Sequence, residues 1–490
     1  MNSFNDLIII DKSSNVPIYS QIMNSIITHI RRGQLSRGMK MPGTRELAFI
    51  LKIHRKTLQN ALDELVAQGW LEIIPRKGTY ITKKLPEINP VKFLSFKEIK
   101  EYPLRTNFNV DEKSNVIFPF SEQPNTKDLV LDDGLPDVRL APVDKLLTTY
   151  RSLLKLSSFK KYLNYGNPSG APYLVNALAP YLYETRGLKI SSKNILITKG
   201  AQMGIYITIR LLLKPGDNII VGEPGYKNAN LTFMQMGVKI NKVPVDESGI
   251  NVDTVELICK TKKIKLLYVI PHHHYPTTVT LTPERRIKLL DLAFRYKFAI
   301  IEDDYDYDFH YQSSPVLPIA SIDPYGSVIY IGTLTKTLVP SIRMGFMIAP
   351  ENFIKAVSNL RRAVDWQGDS MMEAAIGELY KDGTIERHIK KTVKLYHERR
   401  DYFCKQLKEK LGNKVTFKIP DGGMSVWVKF NDIEIKSISQ MALNYGLIMS
   451  DGSFYNTDKV NYNSSRLGFA SLNIKEQDKI TEILKKCICQ

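Results

Sequence analysis

From about residue 129 onward, short apolar runs typical of strands alternate with longer stretches typical of helices. The clearest runs lie at residues 195–198, 218–221, 266–270, 298–301 and 328–331. Strands that alternate with helices favour an α/β fold with a mainly parallel sheet, because parallel neighbours need a long crossover connection. This pattern constrains most of the chain to one fold class.

The size and composition of the chain exclude several classes of protein. A chain of 490 residues is long enough that we expect at least two domains. Its composition, with 43% hydrophobic and 24% charged residues, excludes a largely disordered, collagen-like or membrane-embedded chain. No apolar run of 18 residues and no secretory signal occurs, so we expect neither export nor membrane insertion. The few cysteines are too scattered for a disulfide framework, which favours a reducing cytoplasm: Cys259, Cys404, Cys487 and Cys489.

Basic charge is concentrated near the N-terminus. The whole chain has 68 Lys and Arg against 50 Asp and Glu, a net charge of +18. Residues 1–83 contain 12 basic and 6 acidic residues, which is twice the net charge density of the whole chain. Such an excess indicates an acidic partner such as nucleic acid, with solubility alone as the alternative.

The first 83 residues have the pattern of a winged helix-turn-helix. Isoleucines at three- and four-residue spacing after Pro17 predict a helix that ends before Gly33. Two shorter helices follow, the first capped by Thr44, with a break at residues 53–54. Two β-type runs around residues 75–78 then predict a hairpin with a basic tip.

In a helix-turn-helix the second helix enters the major groove, so its first turn must reach bases and phosphates. Each charge by itself is explained more simply by a solvated surface, but the order of the elements favours DNA binding. We expect phosphate neutralisation by Arg45 on the preceding helix and by Arg76 and Lys77 on the wing. The residues predicted to contact DNA from the second helix are His54, Arg55, Lys56, Thr57 and Gln59.

The C-terminal region offers the groups that a carbonyl cofactor requires, which are an amine, an acidic partner for a ring nitrogen, a phosphate cradle and a flat contact. Residues 198–202 open a helix after a strand and could receive a phosphate, and Tyr226 follows another strand. An acidic cluster occupies residues 302–304, and Lys336 precedes Arg343 by seven residues. Each motif alone has a structural explanation, and the acidic cluster could also face Mg²⁺ or solvent.

These motifs together resemble known families. Residues 17–22, 33–35, 41–48, 69–71 and 77–80 resemble the GntR-type winged helix. The cofactor motifs, with residues 134–137, 165–170, 383–389 and 466–471, resemble fold type I aminotransferases. The fusion resembles the MocR/GabR-like transcriptional regulators over almost the whole chain. It implies a winged helix over residues 1–83, a linker over 84–120, and an aminotransferase-like domain over 121–490 with a mainly parallel sheet and a smaller C-terminal α+β subdomain.

The resemblance implies pyridoxal phosphate (PLP) as cofactor, with Lys336 forming its Schiff base. Asp303 would pair with the pyridine nitrogen, with Asp304 as the alternative, and Tyr305 would contact the ring hydroxyl. Arg466 corresponds to the arginine that binds a substrate or effector carboxylate. The remaining implied contacts are Tyr226 stacked on the ring, and Gly200, Ala201, Gln202, Thr333 and Arg343 around the phosphate.

The chain departs from the family pattern in two places. Residues 272–278 read His-His-His-Tyr-Pro-Thr-Thr where the family commonly has Ser-His-Gln-aromatic-Pro-Thr-Gly. Consecutive histidines rarely converge on one ion, so we interpret this stretch as a loop and assign no metal. Asn228 stands where the GABA-responsive member has an arginine, which argues against a GABA-type effector.

We therefore predict a cytoplasmic, DNA-binding transcription regulator whose PLP domain senses a small amine, an amino acid or PLP itself. The resemblance implies a head-to-tail homodimer on double-stranded DNA with paired half-sites. Exchange of the Lys336 amine for an effector amine would change the charge around Asp303 and Tyr305 and bias the placement of the winged helices. Full transamination turnover is not expected, and an active aminotransferase that carries a DNA-binding domain is the alternative.

Overall fold

The structure is a computed structural model that describes residues 4–11, 14, 16–85, 104–109, 129–311, 316–457 and 459–488. The chain divides into two compact units, Met1–Glu112 and Lys113–Gln490. Apart from residues 84, 85 and 104–109, the predicted linker lies outside the described residues.

The first unit contains four helices and a hairpin in its described part. These are α1 (Phe4–Leu7), α2 (Ile18–Arg31), α3 (Thr44–Ile50), α4 (Arg55–Ala67), β1 (Leu71–Ile74) and β2 (Gly78–Ile81). The isoleucine spacing of α2 buries Ile22, Ile26 and Ile30 on one face, where they join a core with α3 and α4. The predicted winged helix-turn-helix is confirmed. Thr44 does not cap α3, because Gly43 is the N-cap residue and no side-chain capping hydrogen bond forms.

The second unit mixes helices and strands. Its helices are α5 (Val143–Lys155), α6 (Pro172–Arg186), α7 (Ala201–Leu212), α8 (Lys227–Gln235), α9 (Val252–Thr261), α10 (Pro283–Tyr296), α11 (Glu351–Val364), α12 (Ser370–Lys381), α13 (Thr384–Leu411), α14 (Ile435–Asn444) and α15 (Ile474–Ile488). Its strands are β3 (Leu129–Leu131), β4 (Ile195–Thr198), β5 (Asn218–Glu223), β6 (Lys239–Asp246), β7 (Gly249–Ile250), β8 (Ile264–Val269), β9 (Ala299–Asp304), β10 (Val328–Thr333), β11 (Gly345–Ile348), β12 (Val415–Thr416), β13 (Ser425–Phe430), β14 (Leu447–Met449) and β15 (Ser464–Gly468).

An eight-stranded sheet forms the centre of this unit, in the order β4-β11-β10-β9-β8-β5-β6-β7. The five strands β10, β9, β8, β5 and β6 run parallel to one another, whereas β11 pairs antiparallel with β10 and β4, and β7 pairs antiparallel with β6. Strands such as β4 are buried along their whole length because helices cover both faces of the sheet. The predicted α/β fold with a mainly parallel sheet is confirmed.

A smaller substructure follows the long helix α13. The antiparallel sheet β12-β13-β15 packs with α13, α14 and α15 around its own hydrophobic core. Strand β14 pairs in parallel with β3, so the first described residues of the second unit are tied to this C-terminal part.

The apolar run at residues 298–301 marks only the first half of its strand. Strand β9 continues through Asp304, because Glu302 and Asp303 pair with Tyr330 and Ile331 of β10. The acidic cluster is therefore part of the strand rather than a loop after it, and its side chains alternate between the two faces of the sheet.

Candidate functional site

A cavity of about 610 Å³ lies where the parallel strands β8, β9 and β10 end. Nine of the residues predicted for the cofactor and effector line it: Ala201, Gln202, Tyr226, Asp303, Tyr305, Thr333, Lys336, Arg343 and Arg466. Folding thus brings together residues that are far apart in the sequence, at the edge where ligands of parallel sheets bind. Their individual roles remain predictions.

Lys336 places an enclosed amine in this cavity, three residues after the end of β10. Its Nζ donates a hydrogen bond of 2.8 Å to the carbonyl of Gly134. Burial lowers the pKa of the amine, and the negative charge of Asp133 is the largest opposing effect. A lowered pKa increases the neutral fraction of a lysine, which is the form that attacks a carbonyl carbon.

Asp303 is a buried carboxylate with one oxygen left unpaired. Its Oδ2 accepts a hydrogen bond of 2.7 Å from the hydroxyl of Tyr268, whereas Oδ1 has no hydrogen-bond partner in the described part of the chain. Burial raises its pKa to about 7, although the bond from Tyr268 lowers it. A cationic N–H at the cavity face of Asp303 would satisfy the free oxygen and favour the ionised carboxylate.

The neighbouring carboxylates belong to the opposite face of β9. Asp304 does not line the cavity; its oxygens contact Nδ1 of His272 at 3.2 Å and the hydroxyl of Tyr330 at 2.9 Å. Glu302 accepts backbone hydrogen bonds from Ile319 and Ala320, and burial raises its pKa to about 8.

His272, Glu302 and Asp304 hold potential metal-ligand atoms within 4.8 Å of one another. These atoms are already engaged by hydrogen bonds, and Nη1 of the buried Arg286 lies 3.2 Å from Nε2 of His272. A metal ion would have to displace those bonds and would face a second cation, so we interpret the group as a polar network that supports β9.

A cradle for an anion forms at the N-terminus of α7. Gly200 precedes this helix with a φ of +80°, and a Cβ placed there would lie 2.9 Å from Nη2 of Arg343. The glycine thus permits close approach of the guanidinium to the helix N-terminus, whose free N–H groups attract anions. Ala201 and Gln202 in the first turn, and Thr333 at the end of β10, line the same region of the cavity.

Arg466 on β15 points into the cavity from the smaller substructure. Its Nε donates to the carbonyl of Asp133 at 2.9 Å, and its Nη1 and Nη2 donate to the carbonyl of Pro276 and the hydroxyl of Tyr305, both at 3.2 Å. The hydroxyl of Tyr305 in turn donates to the carbonyl of His273 at 3.0 Å. The guanidinium is therefore held rigidly by neutral groups and keeps its full positive charge for an anionic ligand.

The three consecutive histidines do not converge. Their Nδ1 atoms contact different partners, namely Asp304 for His272 at 3.2 Å, Asp306 for His273 at 3.0 Å and Thr277 for His274 at 2.8 Å. The loop ends at Thr278, whose φ of +62° is of the kind that glycine normally adopts. Thr278, which stands where the family commonly has glycine, thus keeps the backbone conformation that a glycine would adopt.

Several cavity residues were not assigned from the sequence. Asp133, Tyr275, Phe454 and Tyr455 line the cavity with the predicted residues. The position of Asp133 directly before the family-like stretch 134–137 was an available signal. Tyr275 is the aromatic residue of the family-like stretch 272–278, which was a second available signal. Phe454 and Tyr455 lie in a segment without a local motif, so only folding reveals them.

The predicted DNA-contacting residues lie on α3, at the start of α4 and on the hairpin tip of the first unit. Their charged members are exposed, and within the described ranges none has an acidic partner within 4.0 Å: Arg45, Arg55, Lys56, Arg76 and Lys77. His54 caps α4 by accepting the Lys56 N–H at 3.2 Å, and Gln59 donates to Asp63 at 2.8 Å. The unneutralised cations are available to phosphates.

Together the fold and the site define a protein in which a winged helix-turn-helix is joined to a fold type I aminotransferase-like unit. Residues 131–484 match the family described as aminotransferase class I and II, and residues 18–81 match the bacterial regulatory proteins of the gntR family. The chain belongs to the aminotransferase class I and II family and, through its GntR-type domain, to the MocR/GabR type of transcriptional regulators.

Relatives of both kinds support this assignment. The "Uncharacterized HTH-type transcriptional regulator YdfD" of Bacillus subtilis is 29% identical, over 96% of this chain and 95% of its own. "Aromatic-amino-acid aminotransferase 1" of Thermococcus litoralis is 31% identical, over 74% of this chain and 87% of its own. Among solved structures, an archaeal alanine:glyoxylate aminotransferase superposes with a TM-score of 0.69 at 31% identity, covering 74% of this chain and 91% of its own.

The GntR-type domain implies that the protein binds DNA, and the family is PLP-dependent. None of the helices in the described ranges is both long and apolar enough to cross a membrane. The residues of the cavity fit PLP: the unpaired buried Oδ1 of Asp303 suits a protonated ring nitrogen, and the Gly200 and Arg343 cradle suits a phosphate.

Proposed function

We propose that the protein is a transcriptional regulator whose second unit binds PLP at Lys336 and responds to a small amine or amino acid. The observation that carries the proposal is the meeting of three groups in one cavity: the enclosed Lys336 amine, the Asp303 carboxylate with an unpaired oxygen, and the Arg343 cradle. As a DNA-binding regulator, it would act in the cytoplasm.

The cavity residues would hold PLP in a fixed orientation. Arg343, Thr333 and the N-terminal turn of α7 would bind the phosphate, and Asp303 would hold a proton on the pyridine nitrogen. Tyr305 would donate to the ring hydroxyl in place of its present bond to His273, and Tyr226 would lie against the ring. PLP itself supplies an aldehyde carbon that binds an amine and a ring that withdraws electrons from it.

The same residues would bind the effector. Arg466 would pair with its carboxylate, because a guanidinium forms two parallel hydrogen bonds to such a group. The carbonyl of Gly134, which now accepts from Lys336 at 2.8 Å, would hold the lysine amine after an effector amine displaces it from the cofactor. The proposed signal is this change in charge and hydrogen bonding next to Asp303 and Tyr305.

The test compares native protein with Lys336→Ala and with the control Lys193→Ala, an exposed lysine outside the cavity. Visible absorption after addition of PLP should show the lysine-bound cofactor band in native protein and in the control, but not in Lys336→Ala. A duplex selected from a random pool should bind all three proteins, with an amine-dependent affinity in native protein and the control alone. An unchanged amine response in Lys336→Ala would overturn the proposal.

Two other functions share this cavity. Relatives that are aminotransferases favour catalytic turnover, which would appear as consumption of an amino acid together with a keto acid. Asn228, which replaces the arginine of the GABA-responsive member, favours PLP itself as the signal. In that case operator affinity would change with PLP alone and not with added amines.

We also propose a head-to-tail homodimer that presents two winged helices to paired half-sites. Helix α5 supports a dimer, because it buries Leu146 and Leu153 and leaves Val143, Leu147 and Leu154 exposed on an adjacent face. An apolar face that the chain itself leaves exposed needs a second partner surface, and another copy of this chain supplies it in this proposal.

A further inference from the structure

One carboxylate of the cavity has no part in the cofactor contacts. Asp133 lies two residues after β3 and faces the cavity with Lys336 and Arg466. Its Oδ2 accepts a hydrogen bond of 3.0 Å from the hydroxyl of Tyr275. Among the described residues this carboxylate accepts no other hydrogen bond and forms no ion pair within 4.0 Å.

The loop that carries Asp133 is held independently of that carboxylate. Oδ1 of Asp132 accepts the N–H groups of Gly134 and Leu135, both at 2.7 Å, and its Oδ2 accepts the hydroxyl of Ser471 at 2.6 Å. Arg466 also binds the backbone carbonyl of Asp133 at 2.9 Å. Replacement of the Asp133 carboxylate should therefore leave the loop in place.

The surface beside Asp133 is suited to a cation. Tyr275 and Tyr455 line the same cavity with ring centroids 6.0 Å apart, and the guanidinium carbon of Arg466 already lies 4.7 Å from the ring centroid of Tyr275. Aromatic rings attract ammonium groups, and a carboxylate beside them strengthens that attraction.

The charges of the cavity point to a ligand with two ammonium groups. With the cofactor in place, Arg343 faces the phosphate. The free Lys336 amine, which an effector would release from the cofactor, donates to the carbonyl of Gly134 in the structure and forms no ion pair with Asp133 within 4.0 Å. A neutral amino acid would pair its carboxylate with Arg466 and leave Asp133 with only the Tyr275 hydroxyl. A partly buried carboxylate without a cation is unfavourable, whereas a second ammonium group would neutralise it.

We propose that Asp133 makes this cavity selective for a diamino acid, whose carboxylate pairs with Arg466 and whose second ammonium group pairs with Asp133. This inference rests on the proposed function, because it assumes that an effector amine binds at Lys336.

The test compares L-ornithine with L-norvaline, which has the same carbon chain without the second amine. Full-length protein loaded with PLP is titrated with each, and binding is followed by the cofactor absorption band and independently by isothermal titration calorimetry. Native protein should bind ornithine about tenfold more tightly, the size expected of one charged hydrogen bond. The ratio of the two affinities should fall to about one in Asp133→Asn and persist in Asp133→Glu, which keeps the carboxylate. It should also persist in the control Glu247→Gln, which removes an exposed carboxylate in the turn between β6 and β7.

The outcomes separate the two proposals. Equal affinities for both amino acids in native protein would overturn the selectivity while leaving amine sensing intact, and this comparison needs no variant to fold. A preference for ornithine that survives in folded Asp133→Asn would overturn the assignment to Asp133. A protein that shows the cofactor band but responds to neither amino acid would contradict the proposed amine sensing, and this inference with it.

Discussion

At the scale of single residues, strand β9 shows where sequence reasoning stops. The sequence predicts a carboxylate for the ring nitrogen but leaves Asp303 and Asp304 open, because neighbours differ only in the face on which they lie. The pairing of β9 with β10 directs Asp303 to the cavity and Asp304 to His272 on the other face. The register of a buried strand therefore decides which of two adjacent and chemically identical residues lines the cavity.

Glu302 should make stability depend on pH. Its pKa in the folded protein, about 8, lies above its ordinary value, so between about pH 5 and 8 the folded chain keeps a proton that the unfolded chain loses. Stability should then fall as the pH rises through this window. The free energy of unfolding of Glu302→Gln, measured by urea denaturation at several pH values, should fall less steeply with pH than that of native protein. The difference in slope should correspond to up to about one proton. The exposed control Glu247→Gln should keep the native slope, and an equal change in both variants would contradict this assignment.

Gly332 on β10 is required by the ring of Phe346 on the neighbouring strand. The two residues are paired across β10 and β11, and a Cβ on Gly332 would lie 2.4 Å from the ring. Gly332→Ala should destabilise the second unit by about 1 to 3 kcal/mol, as insertion of an extra carbon into a packed core does. The shift of the urea midpoint measures this. Gly166→Ala is the control, since its added Cβ would meet only ordinary contacts, and a similar loss there would contradict the packing argument.

At the scale of elements, the periodicity of the sequence predicts the helices of the first unit well because their packing is local. Helix α2 is an example, since the isoleucines that define its pattern are those that the structure buries. Strand ends are harder to predict: the polar residues 302–304 look like a loop, yet hydrogen bonding to β10 keeps them in β9. Pairing with a distant strand outweighs the local preference of acidic residues against strands.

Helix α4 should contribute to DNA affinity mainly through charge. Arg55 begins this helix and has no acidic partner within 4.0 Å in the described ranges. Arg55→Ala should reduce the slope of log affinity against log salt concentration by about 1, because one fewer counterion is released on binding. Fluorescence anisotropy with a duplex at several salt concentrations measures the slope. Lys475→Ala, an exposed cation of the second unit, should keep it, and an unchanged slope in Arg55→Ala would remove this residue from the DNA interface.

At the scale of the whole molecule, the proposed dimer can be tested through α5. Leu147 is 54% exposed on the apolar outer side of this helix. Leu147→Asp should shift the sedimenting species from twice the chain mass towards the monomer, because the charge would be buried against the partner. Leu257→Asp on α9, at a leucine that is 63% exposed, is the matched control and should remain dimeric. A native protein that sediments as a monomer would contradict the proposal.

The sequence by itself determined the order of the elements, the two families and the kinds of side chain that the site requires, because periodicity and motifs are local properties of the chain. Only the tertiary structure decided which of these side chains share a cavity and which lie behind it. Asp133, Tyr275, Lys336 and Arg466 come from four distant segments, and no spacing in the sequence encodes their proximity. Strand register and the return of the C-terminal substructure to the sheet edge bring them together, and both depend on contacts between residues far apart in the chain.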